Sequence, residues 1–370
     1  MGLGLYVTYK NGKNKLIYLG EIIERKVRKI YEFKKVKNSK RKCLYTELTK
    51  EQKEAIDKFY LENYGEKIPY NWHQLYTSFT GNFDEKYFPE FLYIPLLERL
   101  WNSSRYKYAL EDKNLLPLIT SNQTGIRTPE ILVSCINGIL RDTKFNFINI
   151  TEAEKIIKTN EKVFIKPSID SGSGVGCKIL ASNNMVIKDL INKYNGNFCI
   201  QEIIECEESL KKLYPYGVNT FRVISYIWEN EIKVCPIVLR IGKSKNYLDN
   251  AHAGGIFVGV KESGRLISCA FNEFQQRFYK HPDTNIVFEN YEIPKVSELI
   301  ENIKILHRRI PYLNIIHWDA TIDENKKVVI IEANTYDGSI WIAQMAHGKS
   351  VFGDDTAGIL QMLRKHKKYF

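Results

Sequence analysis

Residues 315–337, IIHWDATIDENKKVVIIEANTYD, carry the side chains with the clearest chemical potential. Two apolar runs rich in Ile and Val flank the polar turn Asp323-Glu324-Asn325-Lys326, which is the pattern of a β-hairpin. Folding the chain about the Asn325–Lys326 bond sets Asp319 opposite Glu332. Asn334, two residues on, shares the face of Glu332 because side chains alternate along a strand. Two carboxylates and an amide oxygen then converge on one face. Oxygen ligands of this kind suit hard divalent cations, and Mg²⁺ is usually held by one or two carboxylates plus substrate phosphates. A hairpin whose polar residues simply face water carries the same letters, so the rest of the chain has to decide.

Cationic side chains come next. Residues 220–228 (TFRVISYIW) and 232–242 (IKVCPIVLRIG) read as antiparallel strands around Glu229-Asn230-Glu231. Reflection about residue 230 sets Arg240 opposite Thr220 and makes Arg222 its diagonal neighbour. Two arginines on one sheet face fit a phosphate or a carboxylate bidentately, though ion pairs to nearby acids are the simpler use. Residues 162–166 (KVFIK) form a short strand that Pro167 ends, and the Gly/Ser-rich loop SIDSGSGVG follows at 168–176. Such a loop can lay backbone N–H groups on a phosphate chain, and Lys166 at its edge could reach a phosphate of the same nucleotide. The loop is not a P-loop, since no Gly-Lys-Ser/Thr follows, nor a dinucleotide fingerprint, which needs strand, turn and helix. Alone it reads better as an ordinary flexible hairpin, and Lys166 directly before it sharpens the phosphate reading. The apolar strand at 198–204 (FCIQEII), broken by Gln201-Glu202 and followed by the acidic run 205–208, suits a hinge for adenine and ribose; a strand end with a solvated acidic turn is the plainer alternative.

These parts need a scaffold. Residues 1–60 are mostly helical in pattern, and Thr49-Lys50-Glu51-Gln52 looks like a capping start for a helix at 51–63. Residues 91–101 (FLYIPLLERLW) read as an apolar helix started or kinked at Pro95. His73, in an aromatic stretch, is a lone histidine that reads as core. A helix holding Asp112-Lys113 leads to a turn at Thr124-Gly125 and a strand entered through Thr128-Pro129. Residues 247–255 (YLDNAHAGG) form a loop, 256–260 and 265–271 a hairpin, and 297–309 an amphipathic helix.

Composition narrows the partners. The 370 residues suffice for two or three lobes around sizeable cores. Lys+Arg 54 against Asp+Glu 43 gives +11, which favours nucleotides, sugar phosphates, anionic membranes or nucleic acid without choosing among them. Ten Lys or Arg against one acid, Glu32, lie in residues 25–42, a solvated basic helix or a patch for anionic lipid or glycan. Seven cysteines with no C-x-x-C pair argue against a disulfide framework and a zinc site and suit a reducing cytoplasm. The first residues resemble neither a signal peptide nor a myristoylation motif, and no apolar run approaches the ~18 residues of a membrane span. No Ser-His-Asp or Cys-His arrangement offers a protein nucleophile.

The order of parts is specific: Asp112-Lys113, then Phe164-Ile165-Lys166-Pro167 with its Gly/Ser loop, a Gln-Glu hinge, Arg222 and Arg240, then Asp319, Glu332 and Asn334. It resembles the ATP-grasp superfamily of carboxylate–amine ligases, whose metal signature is similar to Glu332-Ala333-Asn334 with an aspartate one hairpin earlier. Arg240-Ile241-Gly242 followed by Asn250-x-x-x-Gly254-Gly255 looks like the matching loop of bacterial glutathione synthetase. Trp72, Tyr76, Gly81-x-Phe83-Asp84, Tyr87-x-Pro89, Asp112-Lys113-Asn114, Asn219-Thr220-Phe221-Arg222 and His317-Trp318-Asp319 are similar to the sugar-transfer-associated ATP-grasp family, typically found with polysaccharide and capsule assembly. The resemblance covers roughly residues 70–345 and not the first 65.

The resemblance implies an α+β fold: a helical accessory region at 1–105, a small lobe with the phosphate loop at 106–205, and a large lobe with the metal site at 206–370. It implies that Lys113 and Lys166 contact ATP phosphates, with Ser171, Gly172, Ser173, Gly174 and Gly176 in a loop closing over them. Gln201 with the backbone of Glu202 and Ile204 would hold adenine, and Glu208 the ribose. Asp319, Glu332 and Asn334 would ligate one or two Mg²⁺, or Mn²⁺. Arg222 and Arg240 would steady the γ-phosphate, while Asn250, Gly254 and Gly255 line the substrate side. The activity implied is ATP-dependent joining of a carboxylate to an amine through an acylphosphate, in glycan modification, on small molecules that include sugar-linked or nucleotide-sugar substrates. It would act in the cytoplasm or at the inner face of the membrane. A phosphotransferase acting on a hydroxyl, and a non-catalytic polyanion-binding protein, are the competing expectations. The polyanion reading includes nucleic acid, but no nucleic acid is expected as a partner, because the aromatic residues do not interleave regularly with the basic run as a stacking platform requires.

Overall fold

The computed structural model describes residues 2–37, 45–120, 125–169 and 174–367. Contacts divide the chain into two compact units, Met1–Trp101 with Asp337–Phe370, and Asn102–Tyr336. The mixed α+β class expected from the sequence is what the chain adopts.

The unit Asn102–Tyr336 is built on two sheets. A short strand β1 (Ile126–Arg127) belongs to the larger one. The smaller sheet, among the described residues, has the order β3-β2-β6-β4-β5, with β2 Ile131–Ile136, β3 Ile139–Arg141, β4 Lys162–Pro167, β5 Lys178–Ala181 and β6 Phe198–Gln201. Its neighbours pair antiparallel throughout. Asn149 and Glu152 form a capping box that starts the helix Ile150–Ile157, whose Ala153 and Ile157 pack on Val133, Ile165 and Ile200 of the sheet.

The larger sheet adds β7 (Thr220–Trp228), β8 (Glu231–Val234), β9 (Ile237–Ile241), β10 (Ile256–Val260), β11 (Leu266–Phe271), β12 (Arg277–Phe278), β13 (Ile315–Ile322) and β14 (Val328–Asn334), in the order β1-β14-β13-β7-β9-β10-β11-β12 with β8 also on β7. The expected single strand at 232–242 is two, because Pro236 cannot donate to the ladder and splits it. Glu229 and Asn230 make the tight turn with φ of 51° and 66°, the positive values a two-residue hairpin of this twist demands. The one-residue shift between β8 and β9 leaves Arg240 opposite Thr220, the pairing expected by reflection. The helix Val296–Arg308 supplies Val296, Leu299, Ile303 and Leu306 to a core shared with Phe221, Val223, Ile316 and Trp318.

The central hairpin has the expected register. Asp319 faces Glu332 and His317 faces Asn334, with a bulge between Asp319 and Ala320. On its other side Asp319 faces Arg222 of β7. Asn102 closes the open end. Its amide donates to Ile315 O and Thr335 O at 2.7 Å each, and its oxygen accepts from Asn314 N (3.0 Å) and Ile315 N (3.2 Å). Asn102→Ala strands four backbone groups at a buried strand end. It should lower unfolding free energy by about 2–4 kcal/mol, read as a shift of the urea midpoint at unchanged slope.

The other unit is helical. Its first helix runs Gly2–Val36, so the described part of the basic segment 25–42 is helix; residues 38–42 lie outside the described residues. Thr49 and Gln52 form the expected capping box at the start of Lys50–Asn63. The apolar run around Pro95 is helical with a π-helical stretch, Tyr93–Glu98, the local widening by which a helix absorbs a residue without N–H. Two buried glutamates hold the returning chain. Glu98 accepts Asp337 N and Gly338 N at 2.8 Å, and Glu90 accepts Ser339 Oγ (2.8 Å) and Ile340 N (3.0 Å). Gln344 exchanges bonds with the backbone of Phe88, and Asp84 accepts Ser350 N at 2.7 Å. These contacts put residues 337–370 with the N-terminal helices, whereas the sequence placed them with the large lobe. His73 is fully buried, bonded to Glu85 O at 3.1 Å, and pushed down to about 4 by burial, which makes it a neutral core residue.

Candidate active site

Two lysines from different elements meet the hairpin. Asp112 forms an Asx turn, its carboxylate accepting Asn114 N at 2.9 Å, and this presents Lys113 between the helix Lys107–Glu111 and the segment beyond. Lys113 N donates to Ser168 O at 3.0 Å, tying the turn to the start of the Gly/Ser loop. Its ammonium lies 2.9 Å from Glu332 Oε1. Lys166, on β4, donates to Ile331 O at 3.4 Å. Both lysines are buried, so each brings a charge into a site largely shielded from water.

The arginines gather on Asp319. Arg222 Nε stands 2.7 Å from Asp319 Oδ1, out of line for a hydrogen bond, and Arg222 Nη2 donates to Oδ2 at 3.3 Å. Arg240 Nη2 reaches the same Oδ2 at 3.0 Å. Burial pushes the Asp319 carboxyl up, but Arg222 and then Arg240 outweigh it and hold the group below its ordinary value. Burial works against the charge on Arg240 too, yet Asp319 and Asp249 keep that guanidinium above its ordinary value. Burial, then Arg222, push His317 down to about 3, so its ring is neutral at physiological pH and carries no proton for general acid work.

The sequence set Thr220 opposite Arg240 without giving it a role, and it missed Asp249. Arg240 donates to Thr220 Oγ1 through Nε (2.9 Å) and Nη2 (2.6 Å), and Thr220 in turn donates through Oγ1 and N to Asp249 Oδ2. Asp249 is adjacent to Asn250 in the loop singled out for the substrate side, and its neighbour was the only signal. Asn250 accepts His252 N at 2.9 Å and caps a short turn of helix that Gly254 ends at φ 95°. A Cβ on Gly255 would stand 2.3 Å from Asp249 O, so only glycine lets the chain pass there.

Gly174 and Gly176 are described, at φ 75° and 81°; Ser171, Gly172 and Ser173 lie outside the described residues. The loop's far end meets the substrate-side loop. A Cβ on Gly174 would stand 2.8 Å from Leu248, and Tyr247 Oη donates to Cys177 O at 3.0 Å.

The hinge differs in detail from expectation. Gln201 is buried at the end of β6. Glu202 N donates to Glu130 O at 3.1 Å, so that N–H is engaged within the protein. The Glu202 carboxylate accepts Glu130 N and pairs with Arg127 Nη1, while Arg127 Nε reaches Asp323 Oδ2 at 2.7 Å. Arg127, also missed, therefore clips the hinge to the turn of the central hairpin. Ile204 is half-buried. Glu208 is exposed and paired with Lys212 at 2.7 Å, and the structure does not bring it to the other residues. The buried acid of this run is Glu207, which caps the helix Glu208–Leu213 by accepting Ser209 N at 2.7 Å.

Asp319, Glu332 and Asn334 share one face through their register, and Asp319 Oδ1 is a buried oxygen with no hydrogen bond. Such a set fits a hard divalent cation in donor chemistry. Among the described residues no group of three or more His, Cys, Asp or Glu forms a metal cluster; the third donor here is an amide.

The sugar-transfer associated ATP-grasp family matches residues 96–357. Among solved structures, N5-carboxyaminoimidazole synthetase from Staphylococcus aureus, complexed with ADP, is similar at 10% identity and TM-score 0.36 over 62% of this chain and 46% of its own. D-alanyl-alanine synthetase A from Vibrio cholerae is similar at 11% identity and TM-score 0.38 over 70% of this chain and 65% of its own. D-alanine–D-alanine ligase from Bacillus anthracis is similar at 17% identity and TM-score 0.39, covering 74% of each chain. The chain thus spans about half the length of the first of these, 46%. No curated protein matches the chain by sequence. With 96–357 matched, more than half of its length, the chain belongs to the sugar-transfer associated ATP-grasp family.

Proposed function

We propose that this chain is an ATP-dependent ligase that activates a carboxylate as an acylphosphate and passes it to an amine. The observation that carries the reading is the gathering of four cations, Lys113, Lys166, Arg222 and Arg240, on the hairpin that bears Asp319, Glu332 and Asn334. Family membership makes ATP the expected co-substrate. Adenine would lie against Gln201 and the chain that follows it, with the phosphates running between Lys113, Lys166 and the loop ending in Gly174 and Gly176.

A substrate carboxylate oxygen attacks the γ-phosphorus, and the bond from phosphorus to the oxygen of ADP breaks. The amine nitrogen then attacks the acyl carbon, loses a proton, and expels inorganic phosphate. Arg222 and Arg240 are fixed before reaction, so they stabilise charge on the transferring group without reorganising. Lys113 and Lys166 hold the chain of phosphates in line. Asp319, Glu332 and Asn334 would hold Mg²⁺, which when bound neutralises phosphate charge. The loop at 168–176 would exclude water from the activated acyl group, which hydrolysis would otherwise consume. Asn250, Gly254 and Gly255 would line the acceptor side, and the substrates would be small molecules of glycan or capsule assembly, sugar-linked ones included.

The test is turnover of Mg-ATP with pooled amino acids, uronic acids and amino sugars, followed by mass spectrometry. The ligase releases ADP and free phosphate and makes a new mass equal to two substrates less water. A phosphorylated acceptor without free phosphate would instead identify a phosphotransferase. Lys166→Ala should lower kcat/KM for ATP by about 10–100-fold, the worth of one buried charged hydrogen bond.

A further inference from the structure

From Leu19 to Tyr31 the helix Gly2–Val36 exposes one apolar face. At ~100° per residue, Leu19, Ile23, Val27, Ile30 and Tyr31 share a sector of about 120°. All are exposed, at 46%, 61%, 60%, 55% and 51%. Other faces carry the packing of this unit: Glu32 and Val36 are buried, and the Phe33 ring meets Trp72 edge-on at 5.1 Å and lies tilted 4.9 Å from Phe91. The exposed sector is therefore not core turned outward by chance. It is a second apolar stripe, about three and a half turns long, on a helix whose other side is already used.

Charge selects the partner. Lys26, Lys34 and Lys37 fall within or beside the apolar sector, are exposed, and form no ion pair among the described residues. Between Lys26 and Lys37 the other cations are engaged within the unit. Arg28 pairs with Glu32 and Asp337, Lys29 lies over Phe91, and Lys35 lies over Trp341. No acid lies in the sector, since Glu24 is turned to Arg99 at 3.2 Å and Glu21 lies on another side. A second copy laid on this face would set lysine against lysine. Apolar side chains flanked by free lysines fit an anionic lipid surface, where the stripe enters the acyl boundary and the ammonium groups stay at the headgroups. No helix among the described residues is long and apolar enough to cross a membrane, so the contact would lie in the plane of the surface.

We propose that the exposed face Leu19–Ile23–Val27–Ile30–Tyr31, with Lys26, Lys34 and Lys37, docks this protein on an anionic lipid bilayer. The proposal does not depend on the ligase reading. The test is co-sedimentation of the full chain with vesicles of phosphatidylcholine alone or mixed with phosphatidylglycerol. The chain should pellet with the mixed vesicles, not with phosphatidylcholine, and less so as salt rises. Lys26→Gln/Lys34→Gln/Lys37→Gln should weaken vesicle binding by about a hundredfold, from about tenfold or less per lysine. Ile23→Ser/Val27→Ser/Ile30→Ser should abolish it, with an unchanged circular dichroism spectrum, because all three positions are exposed. Failure to bind the mixed vesicles, or binding by either variant as strong as the parent's, would overturn the proposal. So would a dimer of the parent chain in sedimentation velocity that the serine variant dissolves, since the face would then be an interface between copies.

Discussion

Glu332→Gln should lower kcat by about a thousandfold, the scale of removing one preorganised electrostatic group at a reacting centre. The substitution keeps the shape of the side chain and its place opposite Asp319, and removes only the charge. Glutamine can still accept from Lys113, now 2.9 Å from the carboxylate, so stability should fall by no more than about 1–2 kcal/mol. Steady-state ADP release and a urea melt on the same preparation separate the two effects. Turnover like that of the parent would remove Glu332 from the site.

Arg240→Met should be comparably damaging to turnover, about a thousandfold, and should also cost about 3 kcal/mol of stability at neutral pH. Arg240 is buried and serves three groups: Asp319 at 3.0 Å, Asp249 at 3.8 Å and the Thr220 hydroxyl. Methionine fills the volume and leaves both carboxylates short of a counter-charge. The pH dependence carries a definite sign. In the parent, the Asp319 carboxyl is held below 3.8 in spite of burial, so its contribution to stability is present above that value and is lost as pH falls below it. Without Arg240 the carboxyls of Asp319 and Asp249 titrate higher, and acidification protonates them in the folded variant first. The stability deficit of the variant should therefore be greatest near neutrality and shrink as pH falls toward 4. A deficit that grows on acidification would contradict this account of the pair.

The sequence was most legible where one local rule decided the geometry. A polar turn between two apolar runs marks the hairpin of β13 and β14; beside the turn Ile322 faces Val328, and a bulge between Asp319 and Ala320 then brings Asp319 opposite Glu332, as expected. The same reasoning set Thr220 against Arg240, even though Pro236 divides the strand. Legibility failed where a distant residue decided. The part of the Glu202 carboxylate was not read at all: Arg127, 75 residues away, takes it. Of the adjacent acids Glu207 and Glu208, only the capping position separates the buried one from the solvated one. Trp318 and Asn219, read as family markers, are framework: Trp318 Nε1 donates to Ser225 Oγ at 2.8 Å, and Asn219 donates to Leu210 O at 2.8 Å. The apolar pattern of residues 337–370 is the same whichever unit receives it, and polar contacts from Asp84, Phe88, Glu90 and Glu98 tie it to the N-terminal helices.

The claim that a carboxylate is activated by phosphoryl transfer can be tested without knowing the acid in advance. Amino and uronic acids labelled with ¹⁸O in their carboxyl groups are incubated with the protein, Mg-ATP and the amine pool, and the released phosphate is weighed by mass spectrometry. An acylphosphate hands one carboxylate oxygen to phosphorus, so the account expects one ¹⁸O in each phosphate released by ligation. Unlabelled phosphate, formed together with a condensed product, would contradict it.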